Sequence, residues 1–128
     1  MKNIGFDLLT LTAFIKENSE FLTGARIQKI QQPTRQEFIF LLRNLGESRK
    51  LYVNIQPNLY HICFMSKENE EKRLIEIPKF PPMFCMQLRK YLDGRRIVKI
   101  SQPKNERILE LYFKTGEENV EICLAIEL

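Results

Sequence analysis

A single histidine, His61, and three cysteines, Cys63, Cys85 and Cys123, are the chain's whole stock of imidazole and thiol groups. A Ser-His-Asp or Cys-His arrangement would have to use His61, and nothing around it prepares a nucleophile. No two cysteines have zinc-ligand spacing, and an odd count argues against a disulfide framework. The expectation is reduced, buried thiols in a cytosolic protein. The five glycines are isolated, so no phosphate-cradling loop is present. The acidic stretches at 68–71 and Glu117-Glu118 read as solvated loops rather than as an acid–base pair. What remains for chemistry is positive charge. Arg26, Lys29, Arg35, Arg89, Lys90, Arg95, Arg96, Lys99, Lys104 and Arg107 gather in two stretches. Such cations attract RNA phosphates, with nearby Tyr or Phe free to stack on bases. The alternative is a solvated rim of local salt bridges.

The elements that must hold these residues can be read from patterning. Asp7 offers a helix N-cap, and Leu8, Leu11, Ile15 and Leu22 then share a helical face ending at Gly24. Arg26–Ile30 reads as a strand that ends at Pro33. Phe38–Leu42 is apolar without a break, as in a strand covered on both faces. Residues 44–47 are turn-like, and Leu51, Val53 and Ile55 alternate with Tyr52, Asn54 and Gln56, as in a strand covered on one face. A short strand over Ile62–Met65 comes next, then a solvated loop over Ser66–Arg73. Pro78–Pro82 is a stiff lead into a second helix with Phe84, Leu88 and Tyr91 or Leu92 as its apolar stripe, stopped by Gly94. Strands are predicted at Arg96–Ile100, Ile108–Phe113 and Val120–Leu128.

An internal repeat organises these elements. At an offset of 70 residues, Phe14 falls on Phe84, Leu22 on Leu92 and Gly24 on Gly94. Arg26, Ile27, Lys29, Ile30, Gln32 and Pro33 fall on Arg96, Ile97, Lys99, Ile100, Gln102 and Pro103. Each unit reads helix, glycine stop, basic strand, Gln-Pro corner, apolar strand. Two such units would bury their apolar faces together. The expected fold is therefore α+β: two helix–strand–strand repeats forming a β-sandwich-like core flanked by helices.

With 128 residues and 44% hydrophobic side chains, one domain spanning 1–128 is the default. No apolar run approaches the ~18 residues of a membrane span, and the N-terminus has no secretory pattern. A net charge of +4 is compatible with nucleic acid without demanding it. The last strand pattern runs to Leu128 without a polar tail, which suggests a piece of a longer multidomain protein.

Four stretches carry a family resemblance: Phe6-Asp7-Leu8; Gly24-Ala25-Arg26-Ile27-Gln28-Lys29-Ile30-Gln31-Gln32-Pro33; Pro81-Pro82-Met83-Phe84-Cys85-Met86-Gln87-Leu88-Arg89-Lys90-Tyr91-Leu92-Asp93-Gly94; and Asn105-Glu106-Arg107-Ile108. They resemble the N-terminal domain of the NFACT family of RqcH-like ribosome quality-control factors, part of which carries the name fibronectin-binding protein A. The resemblance implies a fold similar to the N-terminal domain of formamidopyrimidine-DNA glycosylases. Those enzymes use an N-terminal proline and glutamate. Lys2 and Asn3 stand there instead, so glycosylase chemistry is not expected. It further implies a non-catalytic, cytoplasmic factor without cofactor or metal. Such a factor binds large ribosomal subunits carrying an obstructed nascent-chain-tRNA and recruits alanyl-tRNA for tailing of the stalled chain without mRNA. The family's tRNA-binding positions fall on Asp7, Glu106 and Arg107, with glutamate replacing the family's aspartate at Glu106. From the clustering of charge in the two repeat units, Arg26, Lys29, Arg96 and Lys99 are expected as accompanying phosphate contacts. The alternative partner is fibronectin, bound at a cell surface.

Overall fold

The computed structural model describes residues 8–66, 77–118 and 120–128. Helix α1 (Leu8–Leu22) leads into strands β1 (Arg26–Thr34), β2 (Glu37–Asn44), β3 (Glu47–Asn54) and β4 (His61–Phe64). Helix α2 (Met83–Leu92) leads into β5 (Ile97–Ser101), β6 (Ile108–Lys114) and β7 (Glu121–Glu127). The first four strands form one antiparallel sheet in sequence order, and the last three form a second. The α+β expectation and the order of elements stand. Asp7 and the loop over 67–73 lie outside the described residues.

The repeat is visible as matched backbone geometry. Gly24 and Gly94 end their helices at φ +94° and +78°, a region that disfavours any Cβ. The chain reversal lets the two first strands meet. The Gly24 amide donates to the Ile97 carbonyl at 2.6 Å, and the Gly94 amide donates to the Ile27 carbonyl at 2.8 Å. Ile27 N–H donates to Arg95 O at 2.9 Å, and Ile97 N–H donates to Ala25 O at 2.8 Å. Each bond maps onto its counterpart when one half is exchanged for the other. Both first strands also carry an irregularity at the same place, between Ile27 and Lys29 and between Ile97 and Lys99. The extra residue of a bulge bends a strand and re-aims the side chains beyond it.

The helices reach across the junction. α2 packs on β1, and α1 packs on β5 as well as, through Phe14 and Phe21, on Phe64 of its own β4. Arg89 Nε of α2 donates to Ile30 O at 2.8 Å, and the Thr12 hydroxyl of α1 lies 3.2 Å from Gln102 Oε1. One apolar core takes side chains from both halves: Leu11, Leu22, Ile27, Ile30, Phe40, Leu42, Leu92, Ile97, Leu109, Leu111 and Phe113 are among its buried members. The symmetry is broken at Gln32. Thr12 corresponds to Pro82, which has no donor, and Gln32 Oε1 is buried with no hydrogen-bond partner among the described residues.

Three local expectations need correction. Phe84 and Tyr91 are 52% and 54% exposed; Leu88 and Leu92 face the core as expected, but Cys85 takes the place of Phe84 at the head of the stripe and Leu92, not Tyr91, ends it. Tyr52 is 3% exposed, although the alternation along β3 assigns it to a solvated face. Its hydroxyl donates to the Glu37 carboxylate, which provides the polar partner a buried phenol requires. The thiols are free, but only Cys85 is buried; Cys63 is half-buried and Cys123 exposed on the outer face of β7.

Candidate nucleic-acid interface

Glu106 and Arg107 sit at the far end of the second sheet, in the turn from β5 to β6. Three bonds fix that turn. Glu106 N–H donates to Pro103 O at 3.1 Å, Gln102 Nε2 donates to Glu106 O at 3.1 Å, and Leu128 N–H donates to Arg107 O at 2.8 Å. The Gln-Pro corner thus holds Glu106 at its N–H and its C=O, and the end of the chain holds Arg107 at its carbonyl, while both side chains remain exposed. The Arg107 guanidinium lies over the ring of Tyr60, with Cζ 5.2 Å from the centroid. An aromatic face orients a guanidinium without neutralising it. The carboxylate of Glu106, expected to steady that arginine, forms no ion pair with any described residue.

Beneath Arg107 and Tyr60 opens a recess of about 510 Å³, lined on its apolar side by Phe38, Phe84, Leu88, Leu124 and Leu128. Phe38 and Phe84 meet edge to face, with centroids 5.8 Å apart. Tyr60 is not among the expected site residues. It stands alone before a four-residue strand, and nothing in its sequence neighbourhood marks it as a platform.

Arg26, Lys29, Arg96 and Lys99 are all exposed, and they form a second group. Arg26 and Arg96 are bridge partners where the two halves join. Lys29 and Lys99 come just after the matched bulges, which turn both outward. Lys99 Nζ lies 5.3 Å from the Tyr112 ring centroid. Desolvation, then Glu110 and Cys123 beside it, push the Tyr112 phenol above its usual range. Because Ile97 pairs with Phe113, Arg96 lies level with the end of β6 and Arg107 with its start. The groups are therefore roughly 20 Å apart along the strand, at about 3.4 Å per residue. The expected site residues do not converge on one spot.

A fold of this kind, two antiparallel sheets joined about a pseudo-twofold, has known counterparts. The family described as NFACT N-terminal and middle domains matches residues 7–128. The chain belongs to that family. Among curated relatives, it is 35% identical over 117 residues to the Rqc2 homolog RqcH of Bacillus subtilis, covering 90% of this chain and 19% of that protein. It is 25% identical over 124 residues to the ribosome quality control complex subunit NEMF homolog of Drosophila melanogaster, covering 94% of this chain and 11% of that protein. Among solved structures, the N-terminal domain of the fibronectin-binding protein PavA from Streptococcus pneumoniae superposes with a TM-score of 0.83 at 32% identity, covering 97% of this chain and 46% of that one. The chain thus spans about a fifth of the length of the bacterial relatives it matches. No described helix is long and apolar enough to cross a membrane, and no metal-binding cluster of His, Cys, Asp or Glu occurs among the described residues.

Proposed function

We propose that this chain is the tRNA-binding portion of an RqcH-like ribosome quality-control factor, cytoplasmic and ribosome-associated. In that role it binds large ribosomal subunits carrying an obstructed nascent chain and recruits alanyl-tRNA, while the ribosome makes the peptide bonds of the tail. The observation that carries the reading is Arg107: exposed, clamped at its backbone and laid over Tyr60 at the mouth of an apolar recess. A guanidinium so placed presents a planar donor fork to a phosphate or a base edge. A ring beside a recess suits an unstacked base. Glu106 contributes a carboxylate free to accept from a base amino group, one methylene longer than the family's aspartate. Asp7 belongs to the same proposal by family position.

The test is tRNA recruitment by the full-length protein. Arg107→Ala should abolish it while the melting temperature stays within about 2 °C, because exposed cation–π contacts contribute only about 0.5–1 kcal/mol. Glu106→Asp should preserve recruitment. Survival of recruitment in the Arg107 variant would overturn the assignment.

A second reading is favoured by the names of the structural neighbours, which describe fibronectin-binding proteins. An adhesin must be outside the cell. Surface proteolysis of intact cells that leaves the whole pool untouched would remove this alternative.

A further inference from the structure

The outer surface of the junction carries more charge than the repeat alone accounts for. Arg43 of β2 pairs in register with Arg26 of β1, and Arg26 pairs in turn with Arg96 at the start of the second half. Register partners in antiparallel strands project from the same face. Three arginines therefore stand side by side, Arg43 on β2, Arg26 on β1 and Arg96 at the bridge just before β5, with neighbouring backbones about 4.8 Å apart. All three are exposed. Arg43 Nη1 donates to Ser48 Oγ at 3.1 Å and Arg96 Nη1 donates to Gly24 O at 3.0 Å, so two of the three are held by neutral acceptors. None of the three meets a carboxylate among the described residues. Like charges placed directly opposite one another destabilise a sheet. This one makes that arrangement twice in one row.

We propose that the Arg43–Arg26–Arg96 row is a phosphate-binding surface for an RNA strand, separate from the Arg107 corner. It rests on the reading that the protein binds RNA, and it assigns the backbone-binding role to this junction. The row is about 10 Å long between its outer strands, long enough to meet successive phosphates of one strand. A guanidinium fork matches phosphate oxygens better than an ammonium does. The flanking positions on this face extend the same chemistry. Lys29 pairs with Leu41, which pairs with Lys50, and Lys99 comes after the bulge beyond Arg96. A bilayer surface would instead call for a cluster of apolar side chains inserted beside the cations. The exposed Phe80, Met83 and Met86 belong to α2 and its approach, and near the row only the isolated Leu45 and Val98 are exposed among the described residues. The pseudo-twofold explains why the row is centred where it is. Duplication brings Arg26 and Arg96 together automatically, and Arg43 adds a third cation that the repeat does not supply.

The test uses the intact chain and a fluorescein-labelled oligouridylate longer than the ~16 nucleotides a small domain covers, with binding followed by anisotropy across a potassium chloride series. Replacing Arg26, Arg43 and Arg96 together by Gln should weaken binding about 10-fold or more. The slope of log affinity against log salt should become shallower by about 2, at roughly 0.7 for each phosphate no longer neutralised. The melting temperature should hold or rise, since the repulsion is relieved. The triple Lys variant should keep most of the slope. Unchanged affinity and slope in the Gln variant would overturn the row. So would tighter binding to phosphatidylglycerol vesicles than to the RNA at equal phosphate, abolished in the same variant. Arg107→Ala measured in parallel separates the two sites. If it alone loses tRNA while the row variant binds normally, the row fails and the corner stands; in the converse outcome the corner fails and the row stands. A wild-type chain that binds no RNA at low salt overturns both.

Discussion

Gly24 and Gly94 each donate a backbone N–H across the junction, to Ile97 and Ile27 respectively. Both bonds require a positive φ just after a helix. Replacing either glycine by alanine should cost about 1–2 kcal/mol, more at Gly24, whose φ of +94° lies further from the left-handed minimum than the +78° of Gly94. Thermal melts should show Gly24→Ala as the larger loss. Equal stability of both variants and the parent would mean the junction tolerates another path.

Leu45 offers the opposite experiment. It forms the β2–β3 hairpin with Gly46, at φ +51° and +78°, and its side chain is 66% exposed. A two-residue turn with two positive φ values prefers Asn-Gly. Leu45→Asn should raise stability by about 0.5–1 kcal/mol, seen as a higher denaturation midpoint with an unchanged denaturant slope.

Asn44 sits beside that turn and does unrelated work. Its Nδ2 donates to Phe21 O at 2.8 Å and to Thr23 O at 3.1 Å, satisfying carbonyls that the end of α1 leaves open. Asn44→Ala should cost about 1–2 kcal/mol, and Asn44→Asp at least as much, since a carboxylate cannot donate. Hydrogen exchange at the last turn of α1 should accelerate first.

The three thiols should separate by reactivity. Burial pushes the Cys85 thiol above the usual 9.0, Arg89 pulls it partly back, and Asp93 adds to the rise. With iodoacetamide near neutral pH, Cys123 should react first and Cys85 only as fast as the protein opens. A thiol whose folded value lies above its unfolded one contributes stability that is complete below about pH 9 and fades as pH rises through the folded value. The stability advantage of the parent over Cys85→Ala should therefore shrink in alkaline melts.

Much of this architecture is legible in the residues. Matched Gly24/Gly94 and Gln32-Pro33/Gln102-Pro103 punctuation announces the duplication, because those residues constrain backbone geometry wherever they stand. Less legible are the features that depend on approach from elsewhere in the fold. Phe84 stands four residues before Leu88 and Cys85 three, and both spacings fit one helical face, so periodicity alone does not say which of the two turns inward. Tyr52 looks solvent-facing because its partner Glu37 lies 15 residues away. Tyr60 and Arg43 enter the candidate surfaces only through neighbours brought up by the fold, to which a reading along the chain is blind. Glu106 and Arg107 are found by family position, and the bonds that hold Glu106 come from the same Gln-Pro corner that marks the repeat.

α2 lies on β1 of the opposite half, and α1 reaches β5 while its Phe14 and Phe21 also stack on Phe64 of β4 in its own half. The two halves are interlocked like clasped hands. Neither would have a complete roof if made by itself. A chain severed between β4 and α2 should yield pieces that are each insoluble or unfolded when expressed singly, yet recover the native spectrum when produced together.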